Sequence, residues 1–289
     1  LFYLDTFLIT SNKDNFEYIK EIKDYDSNKK DYAINIYYKS GKKYLIGTTS
    51  DKDKVVLEGK CLYYYENGKK KRIANYKNNK LIGEQFYYHE NGVFKLESEI
   101  EVSKNKKESI LKIHNYFDEN NIQKVVNGEG EFLEEEEKYK QLSKGMIKNF
   151  VKEGIWVGSI NNKKINFIEQ YSNGKLVIGN STDSLNNKYT YNEIIEKAHP
   201  KKGINDFYSY LKKSEIIPKG IDGQVRGKIL LSFDITDTGN LINISAYSAD
   251  QYGITENAIK IVSQYDNWMP AKYKGVNIKT HFTLPITFK

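Results

Sequence analysis

Four histidines, a lone cysteine, a glycine pair and an acidic run are the first places to look for chemistry in this 289-residue chain. His89, His114, His199 and His281 include no pair at metal-ligand spacing, and none adjoins a Gly-x-Ser-x-Gly nucleophile turn. His281 falls on the polar side of an alternating segment, where an exposed side chain is expected. Cys61, between Lys60 and Leu62, reads as a small buried hydrophobe rather than a nucleophile. One cysteine also excludes an internal disulfide framework and a multi-cysteine metal centre. Gly128-Glu129-Gly130 is too short for a phosphate loop, which needs more glycine followed by Lys-Ser/Thr. Glu134 to Glu137 could attract a hard cation, yet they lack the alternating acids and glycine of a calcium loop. Lys138 and Lys140 follow directly, so a solvated loop or helix start is expected there. Nothing in the sequence assembles into an active site, and the expectation is a non-enzymatic protein with no cofactor and no bound metal.

The charge balance excludes a second class of function. Net charge is +7, from 45 basic and 38 acidic residues, but only Arg72 and Arg226 are arginine. Bidentate reading of guanine and planar clamping of phosphate favour the guanidinium, which this chain hardly uses. Its lysines alternate with carboxylates, as on a solvated surface, so no nucleic-acid partner is expected. Aromatic residues at 13% argue against disorder. No run approaches 18 apolar residues, so no membrane-spanning helix is expected in the chain as given. The opening Leu1-Phe2-Tyr3-Leu4 and Phe7-Leu8-Ile9 read either as the end of a secretory signal's apolar core or as a first strand or short helix.

The elements that could position a site begin with repeats. Gly59 to Gly68 (GKCLYYYENG) and Gly83 to Gly92 (GEQFYYHENG) align at a spacing of 24 residues. Degenerate copies end at Gly41 and cover Ile165 to Gly179. Each Asn-Gly flanked by aromatic and β-branched residues predicts a type I′ hairpin, both residues taking positive φ. Chained hairpins predict a meandering antiparallel sheet in which neighbours cover one another's faces. These copies, with Gly154-Ile155-Trp156-Val157-Gly158, resemble the MORN-type repeat in its bacterial variant, over roughly 33–180. Proteins with that variant are often labelled antitoxin-like, but such repeats are general β-scaffolds.

From Asn205 the pattern changes. Phe207, Tyr208, Leu211 and Ile216 predict a short amphipathic helix stopped near Pro218. Val225, Gly227, Ile229, Leu231, Phe233 and Ile235 alternate with polar residues as a half-buried strand. Asp237 to Asn240 supply a turn, and Leu241 to Tyr247 return as a second strand. Ile254, Ala258, Ile261, Val262 and Tyr265 recur at helical spacing, with Thr255 placed to cap. Val276, Ile278, Phe282, Leu284, Ile286 and Phe288 then predict a final strand.

This stretch, 205–289, resembles the C-terminal domain of TonB in the form found in Bacteroidetes envelope proteins. The residues that carry it are Gly227, Ser232-Phe233, Asp237-x-Gly239-x-Leu241, Glu256-Asn257-Ala258, Trp268-Met269-Pro270-Ala271, Lys274-Gly275-x-x-Ile278 and Leu284-Pro285-Ile286-x-Phe288. The resemblance implies a binding module that pairs its terminal strand with a short peptide, the TonB box of outer-membrane transporters, by β-augmentation. The chain departs from a complete energy transducer, having neither a spanning helix nor a long Pro-rich spacer in the sequence given. Ile217-Pro218 replaces the usual Tyr-Pro.

The sequence therefore predicts an α+β protein: an N-terminal antiparallel hairpin-repeat sheet followed by a small helix–hairpin–helix–strand domain. The divisions are 1–32, 33–190 and 203–289, joined near Tyr191 to Gly203. Trp268 is expected to be structural, turning the chain toward the last strand. The expected function is a cell-envelope adaptor, in the periplasm or on the periplasmic face of the outer membrane. Its protein partner would be an outer-membrane transporter or an envelope-complex subunit. The expected contact is one edge strand of Val276, Asn277, Ile278, Lys279, Thr280, His281, Phe282, Thr283 and Leu284. The alternatives are a structural subunit of a larger envelope assembly and a cytoplasmic antitoxin-like repeat protein.

Overall fold

The computed structural model describes every residue except 1, 6, 7, 10–12, 24, 25, 27, 103–108, 138, 215, 217–226, 248–252, 267 and 289. Leu1, Phe7, Ile217-Pro218, Val225 and Arg226 thus lie outside the described residues. Among the described residues, sixteen strands neighbour one another in chain order in one sheet. They are β1 (Phe2–Leu4), β2 (Tyr18–Ile22), β3 (Tyr32–Tyr38), β4 (Lys43–Thr49), β5 (Leu57–Tyr64), β6 (Lys70–Lys77), β7 (Lys80–Tyr88) and β8 (Phe94–Val102). Then follow β9 (Ser109–Phe117), β10 (Gln123–Val126), β11 (Glu129–Glu136), β12 (Gln141–Lys148), β13 (Val151–Ile160), β14 (Ile165–Ser172), β15 (Lys175–Thr182) and β16 (Lys188–Tyr191). The remainder carries β17 (Ile195–Glu196), β18 (His199–Pro200), α1 (Ile204–Lys213), β19 (Gly227–Ile235), β20 (Leu241–Tyr247) and α2 (Ile254–Ser263). It closes with β21 (Trp268–Met269), β22 (Ala271–Tyr273), β23 (Val276–Ile278) and β24 (Thr280–Phe288). No helix among the described residues is long and apolar enough to cross a membrane.

Two compact units divide the chain. The first comprises Leu1–Glu137, Gln141–Val157 and Gln170–Lys175. Its core buries Leu4, Ile34, Ile36, Leu45, Cys61, Ala74 and neighbouring tyrosines. Cys61 is fully buried, and desolvation pushes its thiol pKa up, so it packs as a hydrophobe. A Cβ on Gly47 would stand 2.6 Å from the Cys61 sulfur, which explains a glycine in the middle of β4.

The repeat turns differ from the sequence expectation. In the turn after β5, Gly68 takes φ 87 while Asn67 keeps negative φ, and Gly68 N–H bonds the Tyr65 carbonyl at 2.9 Å. Gly41 and Gly92 repeat this pattern, which is a three-residue loop ending in a left-handed glycine. Asn is there for its side chain: the Asn67 amide oxygen accepts the Lys69 N–H, and its Nδ2 donates to the Glu90 carbonyl at 3.0 Å. Asn173-Gly174 alone among the quoted copies takes the two positive φ values of a type I′ turn. Hydrogen bonds also tie each repeat to the next, from Tyr38 hydroxyl to the Tyr64 carbonyl and from Tyr65 hydroxyl to the Tyr88 carbonyl.

The acidic run is a strand rather than a loop or helix start, because lysines on other strands neutralise it. Glu134 pairs with Lys152, Glu135 with Lys95, and Glu137, just past the strand, with Lys71.

The second unit, Lys138–Lys140, Gly158–Glu169 and Leu176–Lys289, contains the sequence boundary at Tyr191 to Gly203 in its interior. β17 pairs with β22 and β18 with β21, so 195–200 are built into the terminal module. One core joins Ile160, Ile165 and Phe167 to Ala271, Tyr273 and Ile278. Beside it lies a fully buried ion pair, Lys274 with Glu169. Glu169 also accepts the Tyr191 hydroxyl at 2.7 Å, and Lys274 sits 3.9 Å from the Phe167 ring centroid. Its other core holds the two helices against β19, β20 and β24.

Candidate functional site

The three-stranded sheet β20-β19-β24 is built by alternation. Ile229, Leu231, Phe233 and Ile235 of β19 are buried against Phe207 and Leu211 of α1 and Ile254, Ala258, Ile261 and Val262 of α2. Tyr208 is exposed, and Tyr210 takes the core-side position, its hydroxyl bonding the Ile261 carbonyl. Thr255 lies inside α2, and Gly253 at φ 67 occupies the cap position. Trp268 is 1% exposed, within an aromatic cage of Phe207, Phe233, Tyr265 and Phe282. The Tyr265 hydroxyl donates to Asp206, and burial together with that carboxylate pushes its pKa up to about 12.

The expected single strand from Val276 to Leu284 is two strands in two sheets. Val276, Asn277 and Ile278 form β23, which pairs with β22, and Ile278 is buried in the core with Phe167. The chain breaks at Lys279. Thr280, His281, Phe282, Thr283 and Leu284 belong to β24, whose register with β19 runs from Ile235↔Thr280 to Gly227↔Phe288. The break has a physical cause. Ile278 is drawn into the core beneath β22, whereas Phe282 and Leu284 are drawn under the helices, and one straight strand cannot serve both.

β24 is the edge of its sheet, with β19 its sole strand neighbour among the described residues. Backbone parity shows which groups face that edge. Thr236 N–H bonds the Asn240 carbonyl, so even-numbered residues of β19 direct their backbone groups toward β20 and odd-numbered ones toward β24. Through the register, Thr280, Phe282, Leu284 and Ile286 spend theirs on β19. His281, Thr283 and Pro285 direct theirs to the open side. Pro285 agrees with this assignment, since it has no N–H for a ladder.

On the sheet face away from the helices, Asp234 is a hub. Its carboxylate accepts from His281 Nδ1 at 2.9 Å, Asn243 Nδ2 at 2.7 Å and Lys279 Nζ at 2.9 Å. These bonds, that from His281 foremost, hold its carboxyl well below the usual carboxylate range. His281 Nε2 lies 2.9 Å from Ser232 Oγ. The hub ties the break at Lys279 and the edge strand to β19. In the sequence Ser232 stands out only within the motif shared with the TonB C-terminal domain, and Asp234 only as a polar residue between apolar ones. Their two-residue spacing signals a shared face, but nothing local shows that a residue 47 positions away lies opposite.

A family model for the C-terminal of the Gram-negative bacterial TonB protein matches residues 220–289. No curated protein matches the chain.

Proposed function

We propose that this chain is a cell-envelope adaptor that holds a protein partner by strand addition along β24. The observation that carries this reading is the open edge, where the backbone groups of His281 and Thr283 point away from β19 and meet no other strand among the described residues. The family match over residues 220–289, which include β24, supports it, because the TonB C-terminal family suggests an envelope protein-interaction role. The partner surface narrows to Thr280–Leu284. Val276 to Ile278 belong to another sheet, and the Lys279 ammonium is engaged by Asp234. On this reading the repeat sheet is a MORN-like scaffold, and the protein works in the periplasm or at the periplasmic face of the outer membrane. Its partner is an extended segment of an outer-membrane transporter or of an envelope-complex subunit.

Proline substitution tests the reading. Thr283→Pro removes an edge-facing N–H while sparing the β19 ladder, and should weaken binding of extended peptides at least tenfold; Thr283→Val keeps the amide and should bind as the parent does. Equal binding by Thr283→Pro, with the fold intact, would remove the basis for strand addition. An alternative, a structural subunit of a larger assembly, has support in the exposed Met146, Ile155 and Val157 of the repeat sheet.

A further inference from the structure

Ser232, His281 and Asp234 are hydrogen-bonded in the sense of a nucleophile, a general base and its orienting carboxylate. We propose that they form a nucleophilic site that accepts an acyl or phosphonyl group from an activated ester. His281 Nδ1–H donates to Asp234 at 2.9 Å, leaving Nε2 to accept the Ser232 hydroxyl at 2.9 Å. This is the tautomer a base needs. Besides His281, Asn243 and Lys279 donate to Asp234, whose side chain is 15% exposed. His281 is 60% exposed, so a solvent-borne reagent can reach the pair.

A second observation falls at the same place. The β19–β20 register shifts between Ser232 and Asp234, because β20 carries an extra residue there. Within that bulge Asn243 takes φ 53, a conformation L-residues avoid, and thereby aims its amide at Asp234. Bulges and left-handed non-glycine residues gather where a side chain must be re-aimed for function.

The neighbours define the substrate class. In register, Ser232 stands between Ser245 and Thr283, both hydroxyl residues. The next row is Tyr247, Leu230 and Pro285, with Tyr247 66% and Leu230 39% exposed, an open apolar strip on which an acyl group could lie. A sheet face offers hydroxyls rather than converging backbone N–H groups, so an oxyanion is stabilised only weakly. The site therefore suits aryl esters and thioesters, whose leaving groups need little help, and not amides. In the step, Ser232 Oγ bonds to the carbonyl carbon as the ester C–O or C–S bond breaks. The serine proton passes through His281 Nε2 to the leaving group; water then attacks the acyl carbon, its proton passing through His281 Nε2 to Ser232 Oγ as the acyl–oxygen bond breaks and the acid leaves.

The test uses the full chain and an alkyl fluorophosphonate, with which Ser232 Oγ would displace fluoride from phosphorus. We expect one adduct by intact mass, located at Ser232 by peptide mapping and absent in Ser232→Ala. His281→Gln, an exposed substitution, should label at least tenfold more slowly. Asp234→Asn should also slow labelling, and in urea the parent chain should not label. No adduct, an adduct confined to other residues, or equal labelling of His281→Gln overturns the proposal. Strand addition does not depend on the outcome, since Ser232→Ala leaves the β24 edge unchanged.

Discussion

Replacing Trp268 with alanine probes how the terminal module is held together. The indole is 1% exposed, with ring centroids 5.0 Å from Phe282, 5.3 Å from Phe207, 5.7 Å from Phe233 and 6.4 Å from Tyr265. A buried Trp removes on the order of 200 Å² from water, worth about 5 kcal/mol at ~25 cal/mol per Å². Against this, its buried Nε1–H has no hydrogen-bond partner among the described residues, a burden of about 1–2 kcal/mol that truncation relieves. The expected net loss for Trp268→Ala is therefore about 3–4 kcal/mol, within the range for large aromatic truncations. Trp268→Phe keeps most of the ring packing and sheds the unpaired N–H, so it should cost no more than about 1.5 kcal/mol. Pulse-labelled amide exchange along a urea series, read on segments 229–235 and 280–286, isolates this module from the repeat sheet. An alanine variant within about 0.5 kcal/mol of the parent, or a phenylalanine variant less stable than alanine, would refute the reasoning.

The other expectations concern charge and boundaries. Glu169→Gln leaves the buried Lys274 ammonium without its counter-charge and should cost about 3–5 kcal/mol by thermal or chemical denaturation; combining it with Lys274→Met should cost less than the single change. Because the folded-state pKa of Asp234 is depressed, its contribution is present above the ordinary Asp range near ~4 and is lost as pH falls through the lower folded value. Acid titration of exchange protection in β19 should thus show a component below ~4 in the parent that Asp234→Asn lacks. Melting temperature should fall from fragment 158–289 to 192–289 to 203–289. The second loses Phe167 and Ile165 from the core beside Tyr273, and the third also loses the strands that pair with β21 and β22; a 203–289 fragment as stable as 158–289 contradicts this order.

Where structure depends on near neighbours, the sequence was legible. The alternation of β19 and of Phe282, Leu284 and Ile286 identified the residues beneath the helices, and the apolar spacing of α2 found its buried face. The chain of hairpins followed from repeated Asn-Gly, although Asn67 and Asn91 are there to hydrogen-bond and not to supply positive φ. What stayed hidden depends on distant partners. The pull of Phe167 and Ile165 on Ile278 breaks the last strand at Lys279, and periodicity carries no trace of a competing core. The same holds for His281 over Ser232 and Asp234, which only the β19–β24 register brings together.

Residue-resolved amide exchange on the full chain, with and without the tightest-binding extended peptide, tests strand addition most directly. The N–H groups of His281 and Thr283 should gain protection at least tenfold in the complex. Those of Phe282 and Leu284, already bonded to β19, should change little. Unchanged exchange at His281 and Thr283, with the chain saturated by a bound peptide, would contradict the account.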